Sequence, residues 1–173
     1  FGGGHGGHPN GDGLNHGNAP ISTATIPPVE ILEAAYPVMF TRWALRPDSG
    51  GPGRSRGGLG AIYEIELLEE QADVFLFGER GRFAPPGVLG GGAAALNRFT
   101  VQRNDGEEET PPMASKWVGI KLAKGERVRL ETPGGGGYGP VSERPAAAVK
   151  RDIENGYVSK DAAQAVYGVK GAA

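Results

Sequence analysis

Two histidines and an aspartate lie close together near the start of the chain, separated by small residues: His5, His8 and Asp12. Neutral imidazole nitrogens and a carboxylate can bind a divalent metal, and the same groups can form a general base with an orienting acid. The alternative is a loop whose histidines are solvated or bond backbone groups. Because glycine-rich connections do not hold ligands in position in advance, we expect no metal site here. His16, farther along, has less support for a role.

Two arginines, Arg54 and Arg56, follow a glycine-rich turn that carries Asp48 and Ser49. A guanidinium fork can bind the phosphate or carboxylate of a substrate, and nearby glycine N–H groups can assist as an anion-binding nest. The alternative is that the arginines anchor their own loop by bonding its carbonyls or Asp48. Substrate binding by Arg54 and Arg56 is one hypothesis, and loop anchoring is the interpretation we favour.

Four consecutive glycines, 134–137, precede Tyr138 and invite comparison with phosphate-binding loops. The stretch lacks the lysine and the Ser/Thr of a P-loop, and it does not join a strand to a helix. We therefore predict a tight, closely packed chain reversal, and we do not expect this chain to bind ATP alone.

The composition limits the class of protein. The 173 residues suffice for one ordinary domain or part of a larger one, and 18 basic against 20 acidic residues give a net charge of -2. So weak a charge balance argues against a nucleic-acid or membrane partner. No apolar run approaches the ~20 residues that cross a bilayer, and no signal peptide is visible. The absence of cysteine excludes thiolate chemistry and suits a cytoplasmic location.

Alternating apolar residues and turn signals predict six strands, over residues 36–45, 61–68, 73–77, 97–102, 117–122 and 126–131. In the first, Phe40 and Trp43 should lie on opposite faces. The third is apolar on both faces, which predicts a buried strand. In the sixth, Val128 and Leu130 alternate with charged residues, which predicts a half-buried strand. The acidic run 105–109 is expected to be a solvated loop.

The C-terminal region is predicted to be helical. Ala146, Val149 and Ile153 share one stripe, Ser159 can cap a second helix, and Gly168 can end it. The sequence predicts an α+β, β-rich fold: mostly antiparallel sheet, long Gly-rich loops and a C-terminal pair of short helices. We divide it into a Gly/His-rich segment (1–20) that completes an upstream domain, a β-rich body (21–140) and a helical hairpin (141–173).

Four stretches carry a more specific signal through their order and spacing: residues 2–7 with 11–13; 33–37 with 45–54 and 56–60; 79–80 with 82–83 and 85–87; and 130–139 with 156–159 and 167–169. Together they resemble the hydantoinase B/oxoprolinase family over nearly the whole chain. Pro140 departs from the family pattern, which commonly has Asp there. The resemblance is to the C-terminal part of such a subunit.

This resemblance implies an enzyme that is active only as part of a multi-subunit, ATP-dependent hydrolase of cyclic amides such as hydantoins, 5-oxoproline or other lactams. The implied partners are the remainder of the hydantoinase B-like subunit, a hydantoinase A-like subunit that holds ATP and Mg, and a small-molecule substrate. A divalent metal would be held by upstream residues. His5 and Asp12 lie in the family-like motif, so a catalytic role at the active site is implied for them.

Three other interpretations stay open. Relatives of this kind carboxylate ketones with ATP, so one alternative is part of a carboxylase subunit. A second is a region that serves only structure and assembly. The third, a free-standing β-sandwich module that binds carbohydrate, is supported only by glycine loops and aromatic strands.

Overall fold

The computed structural model describes residues 2–18 and 25–169 of the chain. The described elements, in order, are α1 (Val29–Ala35), β1 (Val38–Leu45), β2 (Ala61–Leu67), β3 (Gln71–Phe77), β4 (Arg98–Gln102), β5 (Glu108–Glu109), β6 (Lys116–Ala123), β7 (Arg127–Glu131), a 3₁₀ turn (Val141–Glu143), α2 (Ala146–Glu154) and α3 (Lys160–Tyr167). The predicted β-rich α+β fold is confirmed. Among the described residues, no helix has the length and apolar character needed to cross a membrane.

The larger sheet is antiparallel and has the strand order β1-β2-β7-β4-β5. Val128 and Leu130 of β7 pack toward the hydrophobic core. The opposite face carries cross-strand ion pairs, with Arg129 2.8 Å from Glu64 and Arg127 2.6 Å from Glu66. The predicted half-buried strand is therefore confirmed.

The smaller sheet pairs β3 with β6, and the core lies between the two sheets. Phe99 and Val101 of the larger sheet pack there with residues of the smaller one. The prediction that β3 is buried on both faces is wrong, because Phe75 is 69% exposed and Phe77 is 87% exposed. The two-stranded sheet lies at the periphery, so only one of its faces packs against the core.

Two further details differ from the sequence prediction. A β-bulge between Phe40 and Arg42 shifts the alternation of β1. Phe40 and Trp43 consequently stack with ring centres 5.4 Å apart, although simple alternation places them on opposite faces. Glu108 and Glu109 form a short edge strand paired with β4, so the acidic run is not wholly a loop.

The glycines form a second structural centre, which we call the glycine bundle. It comprises five segments without regular helix or strand structure, residues 2–7, 11–17, 49–60, 86–92 and 133–139. Backbone bonds join them: Gly7 N donates to Gly136 O, and Gly58 N donates to His5 O. At many of these glycines an added Cβ would collide with the backbone of a neighbouring segment.

The central segment of the bundle, 134–137, has a three-residue period. An added Cβ would meet Ser49 at Gly134, His5 at Gly135 and Pro86 at Gly136; at Gly137 it would meet Pro52, in the same segment as Ser49. Three residues per turn is the period of the polyproline II helix, and in collagen only glycine fits at such a crowded axis. The segment therefore runs through the bundle with neighbours on three sides.

The predicted chain reversal at 134–137 is thus wrong, although close packing is confirmed. Gly135 N donates to Gly58 O and Gly137 N donates to Gly92 O, both at 2.9 Å. These N–H groups already have acceptors inside the protein. The segment consequently does not present the row of open donors with which a P-loop binds phosphate.

The two C-terminal helices match their predicted signals. The Ser159 side chain caps α3 by accepting from Ala162 N at 3.1 Å, and Gly168 ends the helix with φ +68°. Helices α2 and α3 share a small core of their own, whose buried residues are Val149, Val158 and Ala163.

The predicted boundary near residues 20 and 21 lies outside the described residues. Residues 2–7 and 11–17 belong to the glycine bundle, where they contact segments 49–60 and 133–139. The division into 1–20, 21–140 and 141–173 stays a prediction.

Candidate functional site

An ionic network that is buried at Arg144 and Asp152 and exposed at Asp12 joins the glycine bundle to helix α2. Arg144, whose side chain is 2% exposed, donates from both terminal nitrogens to the Asp12 carboxylate, at 2.8 and 2.9 Å. The same guanidinium contacts Asp152 of α2 at 2.5 Å. A two-pronged arginine–carboxylate contact fixes distance and orientation together. The network therefore holds the segment of Asp12 and the helix of Asp152 in one arrangement.

Arg56 completes this network from the third side. Its backbone N–H donates to Asp12 at 2.6 Å, and its Nε lies 3.4 Å from Asp152. Its guanidinium also donates to Gly57 O and lies over the ring of Tyr157, 5.3 Å from the centre. With 3% of the residue exposed, Arg56 anchors its own loop in this structure. The geometry favours the anchoring interpretation at this position.

Arg54 has a more open setting than Arg56. It is half-buried, donates to Pro9 O at 3.3 Å and lies over the ring of Tyr138, 5.5 Å from its centre. Of the two arginines suggested as substrate ligands, Arg54 is the more exposed.

Sequence reasoning did not identify Arg144 or Asp152. Arg144 follows a short turn and looks like an ordinary surface residue in the sequence. Asp152 did leave a signal, because it lies three residues after Val149 and therefore on the buried face of α2. A carboxylate on an apolar stripe needs a buried partner, and Arg144 is that partner.

The structure does not join His5, His8 and Asp12 into one site. His8 is exposed, and its Nδ1 accepts from Asn10 N at 3.3 Å. Across residues 2–18 and 25–169, no group of three or more His, Asp or Glu side chains is arranged to hold a metal. Asp12 is engaged by the arginine network.

His5 lies inside the bundle and is half-buried, with its ring next to Gly17. Its backbone donates to Leu14 O and accepts from Gly58 N, so the position of the residue is fixed. These bonds fix the backbone from which the imidazole extends, and a histidine at a fixed position is a candidate for proton transfer.

His16 forms a polar and aromatic cluster that sequence reasoning undervalued. Its Nε2 lies 3.2 Å from Trp43 Nε1 and 2.7 Å from the Tyr63 hydroxyl, and its Nδ1 lies 3.3 Å from Gly2 O. An indole N–H can only donate, so Nε2 accepts and Nδ1 carries the proton. Burial lowers the pKa of His16, which favours this neutral form.

The charge state of Asp12 makes the ionic network sensitive to acid. Burial alone would raise the pKa of Asp12, but hydrogen bonds and charge from Arg144, with help from Arg56, hold it below the ordinary value of 3.8. A lowered folded-state pKa contributes stability above the ordinary pKa, and this contribution is lost as pH falls through the folded-state value. The attachment of α2 should consequently weaken below about pH 4.

Asp12→Asn tests this expectation, because the amide keeps an acceptor for Arg56 N but carries no charge. We expect the wild type to resist proteolysis within residues 141–169 better than the variant at pH 6, with the difference shrinking toward pH 3. Equal protection at pH 6, or a difference that grows in acid, would contradict the assignment.

The comparisons with known proteins agree on one family. The Hydantoinase B/oxoprolinase family model matches residues 1–141. The chain is 39% identical over 145 residues to the caprolactamase subunit beta of Pseudomonas jessenii. This match covers 82% of the chain and 24% of the relative. The chain is 34% identical over 137 residues to the 5-oxoprolinase of Dictyostelium discoideum, covering 79% of this chain and 10% of that protein.

The structural comparison gives the same result. The crystal structure of the ATP-dependent caprolactamase from Pseudomonas jessenii superposes with a TM-score of 0.82 and 34% identity, over 96% of this chain and 29% of that one. A nucleotide-free acetone carboxylase structure has a TM-score of 0.77 but 24% identity, over 95% and 26% of the two chains, and shows the fold alone. The chain thus spans about a quarter of the caprolactamase subunit it matches. It belongs to the hydantoinase B/oxoprolinase family.

Proposed function

We propose that this chain forms the C-terminal portion of a hydantoinase B-type subunit in an ATP-dependent hydrolase of cyclic amides. The observation that carries the proposal is the likeness to caprolactamase, in sequence at 39% identity and in structure at a TM-score of 0.82. The 5-oxoprolinase relative acts, by its name, on another cyclic amide. The substrate class is therefore a lactam or a related ring.

In this assembly, a hydantoinase A-like subunit would bind ATP and Mg. The remainder of the hydantoinase B-like subunit would bind any divalent metal. The glycine segment 134–137 is a poor candidate for a nucleotide site, because the amides of Gly135 and Gly137 already donate to internal carbonyls and do not form a continuous row of open donors. The contribution of this chain is to shape the substrate cavity and to hold neighbouring parts together. A cytoplasmic location suits such an enzyme.

The test is ring opening by the reconstituted assembly. A panel of caprolactam, 5-oxoproline, hydantoins and simple ketones is incubated with ATP, and the products are identified by mass spectrometry. We expect an amino acid or a carbamoyl amino acid from at least one ring. A carboxylated ketone as the only product would favour the carboxylase alternative and overturn the proposal.

Within that reaction, we propose that His5 acts at the active site and that Asp12 positions the segment that carries it. His5 is half-buried in a fixed backbone, whereas Asp12 is bound by two arginines. A carboxylate with a lowered pKa is a weak base at neutral pH, so proton transfer falls to the imidazole. Arg54 is the better placed of the two arginines to bind the substrate, with Arg56 supporting its loop.

The His5→Ala variant should lower kcat by about 10²-fold or more if the imidazole transfers a proton, while assembly is retained. His8→Ala is the matched control, because that side chain is exposed in the same segment, and it should keep nearly full activity. Unchanged turnover in His5→Ala would remove the catalytic assignment. If, instead, deletion of residues 145–173 dissolves the assembly while both histidine variants stay active, the purely structural alternative gains support.

A further inference from the structure

An apolar groove of about 590 Å³ lies between the larger sheet and strand β3. Part of its lining belongs to the hydrophobic core, including the buried residues Leu67, Leu76 and Phe99. The groove is thus a gap in the hydrophobic core that opens to the surface, and its lining is mostly apolar. Contiguous apolar surface of this kind is normally covered by another element.

The groove follows the edge of β3. Every residue from 72 to 80 contributes to its lining, whereas β6 contributes only Leu122. Successive side chains of a strand point to opposite faces, so a cavity lined by all of them runs along the strand's edge. Within the described part of the chain, β3 pairs only with β6, so its other edge is open to a further strand.

The exposed side chains of β3 indicate the character of the missing neighbour. Phe75 and Phe77 are 69% and 87% exposed, and an open, apolar strand edge promotes aggregation unless something covers it. The two carboxylates that line the groove have partners: Asp73 contacts Lys121 at 2.5 Å and Glu79 contacts Lys116 at 2.8 Å. The remaining charged residue of the lining, Arg80, interacts with Glu79. An uncharged, apolar segment therefore fits this environment.

We propose that an extended apolar segment from the remaining part of the same hydantoinase B-type polypeptide fills the groove and pairs with the edge of β3. The proposal rests on the proposed function, in which this chain is one portion of a longer subunit. The caprolactamase subunit of which this chain covers 24% has ample further chain to supply such a segment. Because the groove continues the core of this fold, its own polypeptide is a better occupant than a separate subunit.

Cysteine labelling of the full polypeptide tests the proposal. The 173 residues contain no cysteine, so Phe75→Cys introduces the only thiol in this part of the protein. The rate of alkylation at that position is measured by peptide mass spectrometry, and the alkylation rate of the protein unfolded in urea serves as the reference. We expect labelling at least about tenfold slower than for Glu107→Cys, whose position is exposed beside the acidic turn, because the groove must first open locally. Equal rates would overturn the proposal.

A photo-crosslinker attached to the cysteine at position 75 identifies the occupant. A cross-link to the same polypeptide outside residues 1–173 is the expected result, whereas a cross-link to a second copy or to the ATP-binding subunit would overturn the proposal. Neither measurement depends on turnover. If the expected cross-link forms but no ring is opened, the proposed function fails and the groove assignment stands. If a ring is opened but position 75 is labelled rapidly, the groove assignment alone is refuted.

Discussion

Replacing Gly135 by alanine is expected to destabilise the glycine bundle strongly. A Cβ at this position would collide with the backbone of His5, which cannot move aside as a flexible side chain can. Overpacking a tight site costs about 1–3 kcal/mol and occasionally more, and a collision with backbone belongs to the upper end. Because a whole domain is stable by only about 5–15 kcal/mol, we expect a large loss of soluble protein and a lower urea midpoint.

Gly6→Ala is the matched control. It lies in the same bundle, but its added Cβ would approach nothing closer than Gly136 O at 3.7 Å, an ordinary contact. The free energy of unfolding of this variant should lie within about 0.5 kcal/mol of the wild-type value. Equal behaviour of the two variants would show that the bundle is not packed as described.

Replacing Arg144 by methionine is expected to detach the C-terminal helices. The change removes both contacts with Asp12 and leaves Asp152, whose side chain is 7% exposed, facing only the more distant Arg56. Breaking one partner of a buried ion pair costs about 3–5 kcal/mol, because the other charge remains without adequate compensation. Hydrogen exchange of peptides from residues 146–167 should therefore accelerate strongly.

Two further variants separate charge pairing from loss of side-chain bulk. Lys150→Met removes an exposed ion pair with Glu154, 3.7 Å long, and should change stability by no more than about 0.5 kcal/mol. Adding Asp152→Leu to Arg144→Met removes the uncompensated carboxylate and should restore part of the lost stability. A double variant less stable than Arg144→Met would contradict the proposed role of Asp152.

Much of the regular structure could be predicted from the sequence, because side-chain patterns determine it. The alternation around Val128 and Leu130 correctly predicted β7, and Ser159 and Gly168 correctly predicted the ends of α3. The family resemblance was also confirmed, since it depended on the order of several motifs along the chain.

The features that could not be predicted depend on contacts between distant segments. Glycines carry no side-chain pattern, so the three-residue period of 134–137 appears only when its neighbours are known. The bulge in β1 reverses an alternation that the sequence alone presents as regular. The pairing of Arg144 with Asp12 joins residues 132 positions apart, and a single sequence gives no means to pair them.

Amide hydrogen exchange of the glycine bundle in the full polypeptide tests the central claim most directly, namely that these segments form a rigid core. The amides of Gly51, Gly58 and Gly135 donate to carbonyls of neighbouring segments at 2.7–2.9 Å. They should exchange as slowly as the amides of β2 and β7, although they belong to no helix or strand. Exchange as rapid as in the exposed turn at residues 104–106 would contradict the account.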